Sequence, residues 1–66
     1  MTLYRLTGYD TQYDTDVWLS YFEWDTHNYE WSDDVEEAKL FYEEEVEFLM
    51  GLFDDTDITV EEVEYP

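Results

Sequence analysis

Residues 33–53 read DDVEEAKLFYEEEVEFLMGLF, and this stretch decides the fold. Val35, Ala38, Tyr42, Val46, Leu49 and Phe53 recur every three or four residues, the spacing of one stripe on an α-helix. Phe41, Phe48 and Leu52 form a second stripe beside it, and Glu36, Glu37, Glu43, Glu44 and Glu47 fall on the outward face. Ser32 and Asp33 are candidate N-caps. Asp33 with Glu36 has the spacing of a capping box, and acids in a first turn suit the helix dipole. The pattern predicts a helix ending around Phe53 and permits a break near residues 40–42 into two shorter helices. Asp54, Asp55 and Asp57 follow, where acids oppose the dipole. Their placement points to charge kept for something other than stability.

Strand patterns flank the helix on both sides. Residues 2–9 carry Leu3, Tyr4, Leu6 and Tyr9, with Gly8 fitting a bend near the end. Residues 10–15 form a polar connection. Residues 16–24 are the clearest strand. Alternation places Val17, Leu19 and Tyr21 on one face and Trp18, Phe22 and Trp24 on the other. Asp25-Thr26-His27-Asn28 reads as a hairpin turn, because Asp and Asn side chains mimic backbone turns. Residues 29–31 are a short third strand and residues 58–65 a last one, closed by Pro66. The expected fold is α+β: a small antiparallel sheet in the order β-β-(β)-α-β packed on one helix, as one domain over residues 1–66.

Charge and aromatic content pull in opposite directions. Twenty Asp and Glu against two Lys and Arg give a net charge of −18 in 66 residues. Charge of that density favours disorder, yet 3 Trp, 7 Tyr and 4 Phe are foreign to disordered chains. They are also more than one small core can hide, so some aromatics are expected at the surface. Without Cys there is no disulfide framework and no thiolate metal site. No run reaches the ~18 apolar residues of a membrane span. Met1-Thr2-Leu3-Tyr4-Arg5 lacks the basic and apolar regions of a signal peptide. Direct binding to nucleic acid or anionic lipid needs a basic patch, and the chain has only Arg5 and Lys39. The expected charged partner is therefore a basic protein.

Catalytic and metal readings are weak. Asp14-x-Asp16 and Asp55-x-Asp57 echo the start of a calcium loop. The sixth and twelfth positions, however, hold Leu19 and Asp25 in the first case, and Val60 and Pro66 in the second. His27 stands alone in a turn with no nucleophile motif around it. A sheet this small does not readily wall off a dry pocket for paired carboxylates. No enzyme activity, cofactor or metal is expected. Trp18, Phe22, Trp24 and Trp31 read either as core or as a stacking platform for sugar rings. Tyr4, Tyr9, Tyr13, Tyr21 and Tyr29 read as interface anchors, since Tyr joins apolar area to a polar tip.

The acids run through every segment rather than forming a tail. Twenty carboxylates match the phosphates of roughly 10 base pairs, at one charge per ~1.7 Å of duplex axis. Strand residues i and i+2 stand about 6.6 Å apart, comparable to successive backbone phosphates. In size, charge, aromatic content and β-β-α-β order, the chain resembles the small acidic phage proteins that act as DNA mimics. These include anti-restriction proteins, uracil-DNA glycosylase inhibitors and some anti-CRISPR proteins. Trp31-Ser32-Asp33-Asp34-Val35-Glu36-Glu37-Ala38-Lys39-Leu40-Phe41 is similar to a phrase common in small phage proteins. The resemblance implies a non-enzymatic inhibitor used in evading host defence, working in the cytoplasm of an infected bacterium. It would fill the basic nucleic-acid-binding channel of a nuclease or DNA-processing enzyme.

Two sets of residues are candidates for that contact. One is the helical set Glu36, Glu37, Glu43, Glu44 and Glu47 with Asp54, Asp55 and Asp57; the other is the strand set Asp14, Asp16 and Glu23 with Tyr13 and Tyr21. A generic acidic interaction module for a basic partner and a carbohydrate-binding domain are the alternatives. Because like charges repel within a Debye length of about 8–10 Å, the melting temperature should rise between low and moderate NaCl. A flat dependence in a thermal melt would show that the acids are compensated locally.

Overall fold

The computed structural model describes residues 1–53 and 58–64. Four strands, β1 (Thr2–Asp10), β2 (Thr15–Phe22), β3 (Tyr29–Ser32) and β4 (Thr59–Glu64), form one sheet. Its order is β3-β2-β1-β4, and every neighbouring pair is antiparallel. A 3-10 turn (Val35–Glu37) and one α-helix, α1 (Glu43–Phe53), lie between β3 and β4. The α+β class and the order of elements are those expected from the sequence.

Short polar side chains close the two hairpins. Asp10 Oδ1 accepts the N–H groups of Gln12 and Tyr13 at 2.9 and 3.4 Å. Asp14 then turns the chain back with a left-handed φ of 55°. In the second hairpin Glu23 O accepts from His27 N–H and Glu23 N–H donates to Asn28 O, both at 2.8 Å. His27 is left-handed at φ 62°. Asp and His tolerate this region better than most side chains.

The helical stretch is broken where the sequence permits, but its first half is not an α-helix. Residues 35–37 make a single 3-10 turn. Its cap is Asp34, whose carboxylate accepts the Glu36 N–H at 3.0 Å. This corrects the capping box on Asp33. Ser32 takes part differently: its hydroxyl accepts from Asp34 N–H and donates to Glu37. The chain then runs extended through Phe41, which exchanges two backbone hydrogen bonds with Tyr4 at 2.9 and 2.7 Å, while Lys39 N–H donates to Leu19 O at 2.9 Å. The β1–β2 ladder stops at Thr7 opposite Trp18. Continued, it would place Tyr4 opposite Tyr21; Phe41 takes that place on Tyr4 instead. The segment is thus a wedge between two splayed strands.

Helix α1 starts after the wedge. Glu45 reaches back to accept the Tyr42 N–H at 2.8 Å, which is half of a capping box, and Glu43, Glu44 and Glu45 fill the first turn. Val46 and Leu49 are buried, with Met50 and Phe53 half-buried beside them, an i, i+3, i+4, i+7 stripe. Phe48 and Leu52 from the second predicted stripe are exposed, as are Val35 and Tyr42 from the first. At 11 residues α1 is about 16 Å long, not the ~30 Å of one continuous 20-residue helix.

A second departure lies in β2. The pairing with β3 shifts register between Leu19 and Tyr21, leaving Ser20 as an extra residue. The bulge reverses the alternation. Leu19 and Phe22, expected on opposite faces, are both buried in the core, and Tyr21 turns outward. Leu6, Leu19, Phe22, Phe41, Val46 and Leu49 make the core, with Tyr4, Trp31, Met50, Phe53 and Ile58 packed against it. Gly8 lets Trp31 lie across β1; a Cβ there would stand 3.3 Å from the indole. Phe41 is fully buried and Phe48 nearly half exposed. Phe41→Ala should therefore lower stability by about 3–5 kcal/mol, and Phe48→Ala by clearly less. Urea unfolding of the two variants measures this; equal losses would show that the wedge does not hold the sheet together.

Candidate protein-interaction surface

None of the described acids is buried, and all except Asp10, Glu23, Glu45 and Glu61 are exposed. The cations do little to offset them. Arg5 is engaged with Glu61 on the sheet face that α1 leaves uncovered. Glu61 there accepts from Arg5 Nη2 at 3.2 Å, from Trp18 Nε1 at 3.1 Å and from the Thr7 hydroxyl. The Thr7 hydrogen bond, more than Arg5 and Trp18, holds the carboxyl below its usual range against the opposing effect of desolvation. Lys39 rests its ammonium 5.8 Å from the centroid of the buried Phe41 ring. The N-terminal amine lies 3.7 Å from Glu64. Among the described residues these two carboxylates are the ones in ion pairs.

The helical candidate set is divided. Glu36 and Glu37 sit on the 3-10 turn, separated from α1 by the extended wedge. Glu43 and Glu47 flank Tyr4 and Val60, on the β1–β4 side of α1. Burial, together with the Glu43, Glu62 and Glu64 carboxylates, raises the Tyr4 hydroxyl above its ordinary pKa. Glu44 lies on the other flank, with Glu45, Trp24 and Phe48. The single row of helical carboxylates expected from the sequence is therefore not formed. Asp54, Asp55 and Asp57 lie outside the described residues.

The strand set is divided too. Tyr13, Asp14 and Asp16 sit at the β1–β2 hairpin, Tyr21 and Glu23 at the far end of β2. Five residues from Asp16 to Tyr21, at about 3.3 Å each, put about 16 Å between the nearest members of the two groups. Tyr21 donates its hydroxyl to Glu23 at 2.9 Å, and that hydrogen bond raises its pKa.

What the fold does bring together is the β2–β3 hairpin and the hairpin-side flank of α1. Trp24 meets Phe48 with ring centroids 5.6 Å apart, and His27 meets Phe48 at 5.7 Å. Buried Phe22 lies beneath both, 4.7 Å from Trp24 and 5.9 Å from His27. His27, at its left-handed φ, stacks on Phe22 and meets Phe48 edge to face. Tyr21, Glu23, Tyr29 and Glu30 adjoin His27 on one side, and Glu44 and Glu45 adjoin Phe48 on the other. Glu44 from the helical set and Tyr21 and Glu23 from the strand set thus share one acidic, aromatic surface. Sequence reasoning omitted Trp24, His27 and Phe48 from the site. The available signal was that 3 Trp, 7 Tyr and 4 Phe are more than one small core can hide.

The four aromatics read as a sugar platform do not share a plane of exposure. Phe22 is core, Trp31 packs against the core and Trp18 hydrogen-bonds Glu61 on the opposite sheet face. A separate hollow of about 380 Å³ opens beside Gly8, Val17 and Trp31, with Asp10 its only carboxylate among the described residues. Among the described residues no three His, Asp or Glu side chains are placed to hold a metal ion. Nor is any helix among them long and apolar enough to cross a membrane.

The Glu61 cluster carries a pH signature. Its carboxyl pKa is lowered on folding, so its contribution is present above the unfolded glutamate pKa and lost as pH falls through the folded one. Wild type should exceed Glu61→Gln in stability near neutral pH, and the two should converge below the usual glutamate range. Urea unfolding of both proteins from pH 7 to pH 3 checks this. Compared with protein-family models, curated proteins and solved structures, the chain matches none, so its function has to be read from its own surface.

Proposed function

We propose that the protein is a non-enzymatic acidic inhibitor that mimics DNA and occupies the basic nucleic-acid-binding channel of a host defence nuclease or DNA-processing enzyme. The observation that supports this most is the outward, uncompensated display of charge. Apart from Glu61 and Glu64, the described carboxylates carry no ion pair, on a chain of net charge −18. Net charge of magnitude ~2–8 is ample for the solubility of a small domain. An excess of this size produces a long-range field that speeds encounter with a basic partner and weakens with salt. Carboxylates then pair with Lys and Arg, and exposed Tyr13, Tyr21, Tyr29 and Trp24 supply desolvated contact area.

The second reading is an acidic interaction module whose basic partner binds no nucleic acid. The half-exposed Trp24 and Phe48 favour a protein as the occupant under either reading. Capture of partners from bacterial lysate at low salt, followed by competition with duplex DNA, separates the two. The protein alone should shift neither duplex nor single-stranded DNA in a gel, and should displace DNA from the captured partner. A gel shift by the protein itself would sink the mimic reading; binding indifferent to competing DNA would favour the second. Glu23→Lys and Glu44→Lys should each weaken the complex by about 1 kcal/mol, chiefly through association rate and more at low salt. Asp14→Lys and Asp16→Lys, at the far hairpin, should weaken it less.

A further inference from the structure

The exposed aromatic residues at the β2–β3 hairpin are arranged for a particular side chain. Trp24 and Phe48 are 40% and 47% exposed, large values for rings in direct contact with each other and with a buried neighbour. Their planes are tilted by 48° with centroids 5.6 Å apart, so they do not close on one another as a stack. The hollow between them, about 340 Å³, is walled on its other side by Glu44 and Glu45. Two π-faces with two carboxylates at the rim suit an organic cation. The rings attract positive charge through their quadrupoles within about 6 Å of a centroid, and the acids neutralise it. The three glutamates in the first turn of α1 outweigh the half-unit of positive charge at a helix N-terminus. Glu45 is held in place by the Tyr42 N–H, and Trp24 by Phe22 beneath it.

We infer that the Trp24–Phe48 hollow seats an arginine side chain of the basic partner, its guanidinium stacked on the indole and paired with Glu44. A guanidinium fits better than an ammonium. It is planar, more weakly hydrated, and able to stack on a ring while donating in its own plane to a carboxylate. Phe48 forms the far wall, and His27 supports Phe48 from behind at 5.7 Å. This inference rests on the proposal that the partner is a basic protein, and it does not require that the partner bind DNA.

Hexaarginine is a suitable probe, with hexalysine as the control of equal charge, at fixed ionic strength. In NMR titrations hexaarginine should shift the Trp24 indole N–H and the Phe48 ring protons saturably. The indole N–H signals of Trp18 and Trp31 should stay in place. Trp24→Leu and Phe48→Leu keep an apolar side chain and the same net charge; each should raise the hexaarginine Kd at least fivefold. Glu44→Gln should do the same, and hexalysine should bind wild type at least threefold more weakly than hexaarginine. Thermal melts confirm that the variants are folded. Unchanged Kd values in both ring variants, or equal affinity for the two peptides, would overturn the seat and leave attraction by diffuse charge alone. Failure of DNA competition with hexaarginine still seated would instead remove DNA mimicry and retain the seat.

Discussion

The fold depends on the pairing of Phe41 with Tyr4. Two backbone hydrogen bonds, at 2.9 and 2.7 Å, place an extended segment where β1 and β2 would otherwise pair with each other. That segment carries a fully buried aromatic ring into the centre of the core. It satisfies backbone groups of both splayed strands, Tyr4 on one side and Leu19 on the other, so the opening of the ladder leaves them paired. In a domain of this size one large buried side chain is a substantial share of the core.

The bulge at Ser20 accompanies the wedge. Leu19 gives its carbonyl to Lys39, and the pairing of β2 with β3 resumes one residue later. The parity change sends Phe22 into the core beneath Trp24 and His27 and turns Tyr21 out toward Glu23. The wedge also makes α1 short and starts it beside the second hairpin, which is how Phe48 comes to meet Trp24 and His27. The acidic aromatic surface is therefore a consequence of how the core is assembled.

Charge is arranged differently on the two faces of the sheet. On the uncovered face Arg5 and Glu61 neutralise one another within a cluster completed by Thr7 and Trp18. Around α1 and the hairpins the carboxylates have no cationic partners among the described residues, and repulsion between them opposes folding. The exposed edge strand β4 carries Glu61, Glu62 and Glu64, which discourages pairing with another chain.

The α+β class, the order of the strands in the chain and the positions of both hairpins were legible in residues 2–9, 16–24, 29–31 and 33–53. Each rests on local periodicity or on turn chemistry, which operate over a few residues. The acidity and the surplus of aromatics over core volume are also properties of the sequence alone. Periodicity could not distinguish a long helix from a short one preceded by an extended wedge, because Phe41 and Tyr42 fit the helical stripe as well as they fit a strand. The winning interaction, Phe41 with Tyr4, joins residues far apart in the chain. The Ser20 bulge was hidden for the same reason: strand parity is set by the partners across the ladder, and one extra residue reverses every side chain beyond it. Tertiary structure alone therefore decided which aromatics are core and which acids are neighbours. It parted Glu36 and Glu37 from Glu44, and it set Glu44 beside Trp24, because side-chain proximity across elements follows from packing rather than from spacing along the chain.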